Sequence, residues 1–187
     1  MALAASLAVA NSHDEIQDKT DAFLTKQETD IEPATKLNLG IEPTLYEAKK
    51  EAQEYTRWAS AMEKWGYTWK AFDVTTEDGY ILTLFHILGT VDGGAFKPDK
   101  GTVLIQHGAL QDAAKWIDEY KFGKPMPLIL ADQGYDIWMG NNRGTEYSRG
   151  NTKGLTIDMK EFWAWSYAEM GLYDDTANIK FIKDKTG

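Results

Sequence analysis

The sequence contains no cysteine, which excludes disulfide bonds and thiolate metal sites but leaves the cellular compartment open. It also lacks any run of Lys or Arg, and its formal net charge is −9 at pH 7. This charge argues against nucleic acid as a partner, because a phosphate backbone requires a basic footprint. It does not favour an anionic membrane surface either.

Long apolar segments and the common metal or phosphate motifs are absent as well. After the first ten residues, no segment reaches the roughly 18 apolar residues that a membrane span requires. Neither the H-E-x-x-H spacing nor a glycine-rich phosphate loop occurs. We therefore expect no transmembrane span, no bound metal and no cofactor.

What is present is an ordinary globular composition: 43% of the 187 residues are hydrophobic and 26% are charged. This length suits one domain. Met1–Ala10 is small and apolar and ends in Ala8-Val9-Ala10, which predicts a secretory signal peptide, with an Ala-rich terminus as the alternative. Residues 11–43 form an acidic leader for which disorder is one interpretation. Residues 44–187 form the domain. A signal peptide would place the protein outside the cell or in a lysosome or vacuole.

Hydrophobic periodicity in residues 44–187 predicts alternating strands and helices. Buried apolar strands joined by helices indicate parallel pairing, and the fold class is therefore α/β. The predicted elements are a helix over 44–64, a strand hairpin of 67–75 and 80–88, a loop over 89–101, strands over 102–106 and 135–139, and helices over 127–132, 161–167 and 170–185.

One run ends a predicted strand with chemistry-bearing residues: Val103-Leu104-Ile105-Gln106-His107-Gly108-Ala109. A strand that ends in His-Gly places backbone N–H groups at the carboxyl edge of a sheet. Taken alone, this dipeptide favours a tight turn that contains a hydrogen-bonded histidine.

Several later runs give this turn a context. They are LADQGYDIWMGNNRG at 130–144, Tyr147-Ser148-Arg149, EFWAWSYAEM at 161–170, and the segment from Tyr173-Asp174 to Lys185-Thr186-Gly187. In this order and spacing they resemble the acid lipases, the gastric and lysosomal lipases and their relatives. Trp65-Gly66-Tyr67 and the run from Thr76 to Leu82 resemble the opening hairpin of that family. The resemblance covers about residues 65–187.

The resemblance implies the N-terminal portion of an α/β-hydrolase fold, with a hairpin, parallel strands, flanking helices and an incomplete sheet. It also implies a serine ester hydrolase that cleaves triacylglycerols or sterol esters by acyl transfer. By position, Ala109 gives a backbone N–H to the oxyanion hole, where the family usually has Leu, and His107 and Gly108 shape the turn. Asn141, Arg143 and Gly144 match a structural loop of the family.

The nucleophile of such an enzyme has no counterpart in the 187 residues. No G-x-S-x-G occurs around any of the five serines, Ser6, Ser12, Ser60, Ser148 and Ser166. In the family, the nucleophile elbow and its strand follow the Lys-Thr-Gly motif, and the triad aspartate and histidine come later. We therefore assign no nucleophile, acid or base to this chain, and we expect the chain alone to be inactive.

Three interpretations remain open. The chain is part of a lipase that another polypeptide segment completes, a non-catalytic subunit with a lipase-derived fold, or a lipid-binding module without hydrolysis. In each case the strand over 102–106 lacks a neighbour, which predicts an open central edge of the sheet. We expect residues 44–187 alone to be unstable or sticky unless another polypeptide completes the sheet.

Overall fold

The computed structural model describes residues 55–118 and 123–187. The predicted signal peptide, the acidic leader and the first part of the predicted helix over 44–64 lie outside the described residues. The elements are α1 (Thr56–Trp65), β1 (Tyr67–Thr75), β2 (Tyr80–Thr90), β3 (Gly94–Ala95), β4 (Thr102–Gln106), a 3₁₀ turn (Ala113–Trp116), α2 (Met126–Asp132), β5 (Asp136–Gly140), β6 (Gly150–Asn151), a second 3₁₀ turn (Lys160–Trp163), α3 (Tyr167–Glu169), a π-helical segment (Met170–Asp175) and α4 (Thr176–Thr186).

The sheet is mixed, as predicted, and its strand order is β1-β2-β5-β4. Strands β1 and β2 form the antiparallel hairpin, and β2 also pairs antiparallel with β5. Strands β4 and β5 are parallel, with Thr102 opposite Asp136 and Gln106 opposite Gly140. Their carboxyl ends therefore meet at one edge of the sheet. The short strands β3 and β6 both pair with β2.

Two apolar clusters cover the two faces of the sheet. One contains Trp58 of α1, whose ring stacks on Phe85 of β2 at a centroid distance of 4.3 Å. The other contains Trp138 of β5 and Ile182 of α4. All five residues of β5 are buried, since it lies between β2 and β4 with side chains packed on both faces.

Some predicted elements need correction. Residues 161–167 do not form one helix: a 3₁₀ turn ends at Trp163, and a new helix begins at Tyr167. Ser166 caps that helix in a reciprocal arrangement with Glu169, which fixes where it begins. The predicted loop over 89–101 contains β3. The strand over 102–106 is only partly buried, because it ends the sheet among the described residues and Thr102 is exposed.

No helix within the described ranges is long and apolar enough to cross a membrane.

Candidate functional site

The chain leaves β4 through a tight turn formed by residues 108–111. The Gln111 N–H donates to the Gly108 carbonyl over 3.3 Å, and Leu110 has a φ of 59°. A positive φ at the third position is what a type II turn requires. Gly108, Ala109 and Leu110 are all exposed. The turn therefore projects from the carboxyl edge of the sheet.

The buried ring of His107 fixes this turn to the neighbouring loop. Its Nε2 accepts a hydrogen bond of 3.0 Å from the Asn142 N–H. Since Nε2 is the acceptor, Nδ1 carries the proton and donates to the Gly108 carbonyl over 2.8 Å. Both ring nitrogens are occupied, so His107 holds the turn and is not available as a base.

Ala109 and Leu110, the two central residues of the turn, are exposed, and neither N–H donates a hydrogen bond in the described part of the chain. The neighbouring Gly108 N–H donates to Gln111 Oε1 over 3.3 Å. No acceptor faces the Ala109 N–H within the part of the chain that the structure describes. The turn can therefore offer the backbone N–H groups of Ala109 and Leu110 to an oxygen that approaches from solvent.

Asn141, at the carboxyl end of β5, connects this region to two other elements. Its side chain is fully buried, donates to the Thr83 carbonyl and accepts from the Ala113 N–H, each over 2.9 Å. Ala113 begins the 3₁₀ turn that follows residues 108–111. Asn141 therefore fixes the far end of the turn to the sheet.

Arg143 is the most heavily bonded side chain of this loop and is only 1% exposed. Its Nη1 and Nη2 donate to Asp78 over 2.6 and 2.9 Å, and its Nε donates to Asp174 over 2.8 Å. The Arg143 N–H also donates to Asp174, over 2.9 Å. The guanidinium lies 4.0 Å from the ring centre of Tyr80. These contacts connect the hairpin turn, the loop after β5 and the π-helical segment.

The two carboxylates bound to Arg143 differ in their protonation chemistry. Burial raises the pKa of Asp174 and outweighs its hydrogen bonds from Arg143, because Asp174 is fully buried. Burial acts in the same direction on Asp78, but hydrogen bonds from Arg143 and Thr76 outweigh it and lower the pKa of Asp78. The ionised form of Asp174 therefore needs the positive charge of Arg143 more than the ionised form of Asp78 does.

Gly144 is required by the close approach of two indole rings. A Cβ at this position would lie 2.7 Å from Trp163 Cζ3 and 3.0 Å from Trp165 Cζ2, and the φ of Gly144 is 81°. Its N–H donates to the Ser148 carbonyl over 2.8 Å. The loop thus places Asn141, Arg143 and Gly144 in contacts with the protein interior.

None of the described serines belongs to a catalytic arrangement. Ser148 is buried, accepts from the Thr83 N–H and donates to the Asn141 carbonyl. Ser60 lies on the exposed side of α1, and Ser166 is a helix cap. Over 55–118 and 123–187, no serine is hydrogen-bonded to a histidine. No group of three His, Asp or Glu residues suitable for a metal occurs in that part of the chain.

One polar cluster was not anticipated from the sequence. His86 of β2 forms a 2.6 Å contact with Asp136 of β5, and its ring stacks on Trp138 at 3.8 Å. The Trp138 Nε1–H donates to the other oxygen of Asp136 over 2.6 Å. Burial would raise the pKa of Asp136, but the hydrogen bonds from His86 and Trp138 outweigh it and lower that pKa. The cluster lies where β5 begins, at the opposite end from the turn.

Comparison with known proteins shows what this chain is similar to. Residues 59–120 match the family model described as a partial alpha/beta-hydrolase lipase region. Together with the mixed, open sheet and its flanking helices, this match confirms the predicted N-terminal portion of an α/β-hydrolase fold.

The individual relatives include a lysosomal acid lipase and a gastric lipase. Lysosomal acid lipase/cholesteryl ester hydrolase from Homo sapiens is 44% identical over 123 residues, which cover 66% of this chain and 30% of that protein. Gastric triacylglycerol lipase from Rattus norvegicus is 41% identical over 123 residues, covering 66% and 31%. These matches confirm the predicted relationship to the acid lipase family. The matched segment spans about 30% of the length of these relatives.

Among solved structures, an esterase from Pyrococcus furiosus matches with a TM-score of 0.40 and 20% identity, and the match covers 67% of this chain and 39% of the esterase.

Proposed function

We propose that the chain is part of a lipase-like carboxylic ester hydrolase of lipid metabolism that acts on triacylglycerols or sterol esters. The observation that carries the proposal is the exposed Ala109 N–H, held at the carboxyl edge of the sheet by the doubly bonded ring of His107. The names of the lipase relatives support the choice of lipid esters as substrates.

In this proposal, the Ala109 N–H donates to the oxygen that becomes negative when the ester carbonyl is attacked. One such donor typically contributes about 3 kcal/mol to transition-state stabilisation. His107 and Gly108 shape the turn, and Asn141 and Arg143 keep its surroundings rigid. The substitution of Ala for the Leu usual in the family changes a side chain and leaves the N–H in place.

The nucleophile, the base and the acid are assigned to no residue of these 187. A serine, a histidine and an aspartate in the usual relay would have to come from another polypeptide segment. The open edge of β4 supports the need for such a segment, because an unpaired strand edge is a template for pairing.

The second candidate is a non-catalytic, lipase-derived structural or lipid-binding subunit. It is favoured by one observation: His107 uses both ring nitrogens, and Ser148 uses its hydroxyl, to hold the fold together. Neither residue is available for nucleophilic catalysis.

The location that accompanies the first proposal is extracellular, lysosomal or vacuolar. It is supported by the apolar Met1–Ala10 segment and by relatives whose names are lysosomal and gastric.

One assay distinguishes the two functions. The purified chain, alone and together with the polypeptides that accompany it in its native source, is incubated with a short p-nitrophenyl ester and a serine-reactive phosphonate. The hydrolase proposal expects turnover and labelling in the accompanied sample, with neither in the chain alone. Absence of both from both samples would reject the hydrolase and leave the non-catalytic subunit.

A further inference from the structure

The turn over residues 108–111, which offers the Ala109 and Leu110 N–H groups, is exposed along its whole length. Its two internal hydrogen bonds are both 3.3 Å long. The flanking residues, His107 and Asp112, are both buried. Leu110 has a φ of 59°, a conformation that leucine rarely adopts and that persists only where the surroundings fix the chain. The two flanking residues therefore determine the shape of the turn.

Asp112 anchors the far end of the turn through both of its carboxylate oxygens. Its Oδ1 accepts from the Lys115 N–H over 3.2 Å and thereby caps the 3₁₀ turn Ala113–Trp116. Its Oδ2 accepts from Arg57 Nη1 over 2.8 Å. Because both oxygens are bonded, the Asp112 side chain is fixed relative to α1, which carries Arg57.

Arg57 binds the chain on both sides of that 3₁₀ turn. Its Nη1 donates to Asp112 before the turn, and its Nε donates to Asp118 after it. The hydrogen bond to Asp118 and the negative charges of both carboxylates outweigh burial and raise the pKa of Arg57. The guanidinium therefore stays charged and connects two segments of the chain that flank the 3₁₀ turn.

Helix α1 gives Arg57 a firm support. The next residue, Trp58, is fully buried, and its ring stacks on Phe85 of β2 at a centroid distance of 4.3 Å. Ala61 and Met62 are buried on the same helix. Since these side chains belong to the apolar cluster on one face of the sheet, α1 cannot shift without disturbing that cluster. The position of Arg57 is therefore set by the sheet.

We propose that Arg57 is a positioning residue for the candidate oxyanion turn: it holds Asp112 against α1, and Asp112 keeps the N–H groups of Ala109 and Leu110 in place. His107 fixes the near end of the turn and Arg57, through Asp112, fixes the far end. The expected effect on ester turnover rests on the proposed function, whereas the expected effect on the order of the turn does not.

Nuclear magnetic resonance relaxation of the full chain tests the effect on the turn. Arg57→Met removes the guanidinium and keeps an unbranched stem. We expect the backbone order parameters at Ala109 and Leu110 to fall from near the value of rigid backbone, about 0.85, to below about 0.6. The matched control is Lys124→Met, which removes an ion pair with Asp132. The Arg57 and Lys124 side chains are 35% and 37% exposed, and the control should leave both order parameters unchanged.

Ester turnover by the accompanied chain tests the effect on the site. Misplacing a catalytic group by about 1 Å can lower a rate by about 10²-fold. We expect Arg57→Met to lower kcat by about 10- to 100-fold and to change KM by less than about twofold, because the N–H groups act on the transition state. Lys124→Met should keep the rate of the unsubstituted chain.

A double-mutant cycle tests whether Arg57 acts through Asp112. Asp112→Asn should also lower kcat, and Arg57→Met combined with Asp112→Asn should lose no more than the larger single effect, because the two residues act through one contact. If Arg57→Met fails to fold, Asp112→Asn takes its place in the relaxation and kinetic measurements.

Three results would overturn the proposal. The first is unchanged order parameters at Ala109 and Leu110 in Arg57→Met. The second is a lower melting temperature with an unchanged kcat, because Arg57 would then only stabilise the fold. The third is losses of kcat that multiply in the double variant. If the unsubstituted assembly hydrolyses no ester, the proposed function fails, and the relaxation measurement still decides whether Arg57 orders the turn.

Discussion

Replacement of Arg143 by Met should show how strongly the loop after β5 depends on one buried charge. Methionine keeps much of the side-chain length and the backbone N–H bond to Asp174, but it removes every guanidinium bond. Asp78 is 26% exposed at its side chain and can be rehydrated. Asp174 is fully buried and cannot be rehydrated. The substitution should therefore destabilise the fold mainly by leaving the Asp174 carboxylate without its positive partner.

The expected loss follows from that difference. Removing one member of a buried ion pair typically costs about 3–5 kcal/mol, because the other charge remains buried without compensation. We therefore expect Arg143→Met to lower the free energy of unfolding by about 3–5 kcal/mol at pH 7.5, measured by urea denaturation. Arg149→Met, at an exposed position nearby, should change it by less than about 0.5 kcal/mol.

The pH dependence of the stability difference between the two proteins gives a second test, and its sign can be predicted. Burial raises the folded-state pKa of Asp174 above its unfolded value, and loss of the guanidinium raises it further. For such a group, the penalty is fully present above the folded pKa and disappears as the pH falls through it. The deficit of Arg143→Met should therefore shrink on acidification. Arg143→Met combined with Asp174→Asn should recover most of the loss at pH 7.5, because the neutral amide oxygen can still accept the backbone N–H of residue 143. A deficit below about 1 kcal/mol, or one that grows in acid, would refute the reasoning.

Two further predictions concern features outside the Arg143 cluster. Asp136→Asn should cost about 1.5–3 kcal/mol at pH 7, because the charged acceptor of hydrogen bonds from His86, Trp138 and Thr102 is lost. Because the folded pKa of Asp136 is lowered, this contribution is present above the unfolded pKa of about 3.9 and should be lost as the pH falls through the lower folded pKa. Thermal melts of the two proteins over a pH series measure this loss. Leu110→Gly should stabilise the chain by up to about 1 kcal/mol, because Leu110 has a positive φ and a fully exposed side chain. Thermal melts measure this effect, and a lower melting temperature for the variant would contradict the prediction.

The strands were the most predictable part of the fold. Apolar runs bounded by turn residues predicted both ends of β1 and β4 correctly. Both ends of β5 were predicted one residue too early, and β2 extends two residues beyond its predicted end. The start of α3 also had a local signal, the Ser166-x-x-Glu169 capping box, which the sequence interpretation did not use. The π-helical segment had no local sequence signal, because its apolar spacing over residues 170–175 is compatible with an α-helix.

The contacts that hold the candidate site depended on tertiary structure. The sequence motif singled out Arg143, but its partners Asp78 and Asp174 lie 65 and 31 positions away in the chain. His86 and Asp136 are 50 positions apart, and they meet only because β2 and β5 are neighbours in the sheet. No local spacing encodes such pairs. The fold class and the turn could therefore be predicted, while the network that positions the turn could not.

The most direct test of the account is Ala109→Pro in the hydrolytically active assembly. Proline is favoured at the second position of a type II turn, so it removes the N–H while keeping the turn. We predict a fall in kcat of about 10²–10³-fold with little change in KM, whereas Ala109→Leu, which retains the N–H, should keep nearly full activity. An Ala109→Pro variant that folds and turns over ester at the unchanged rate would contradict the assignment of Ala109 as an oxyanion donor.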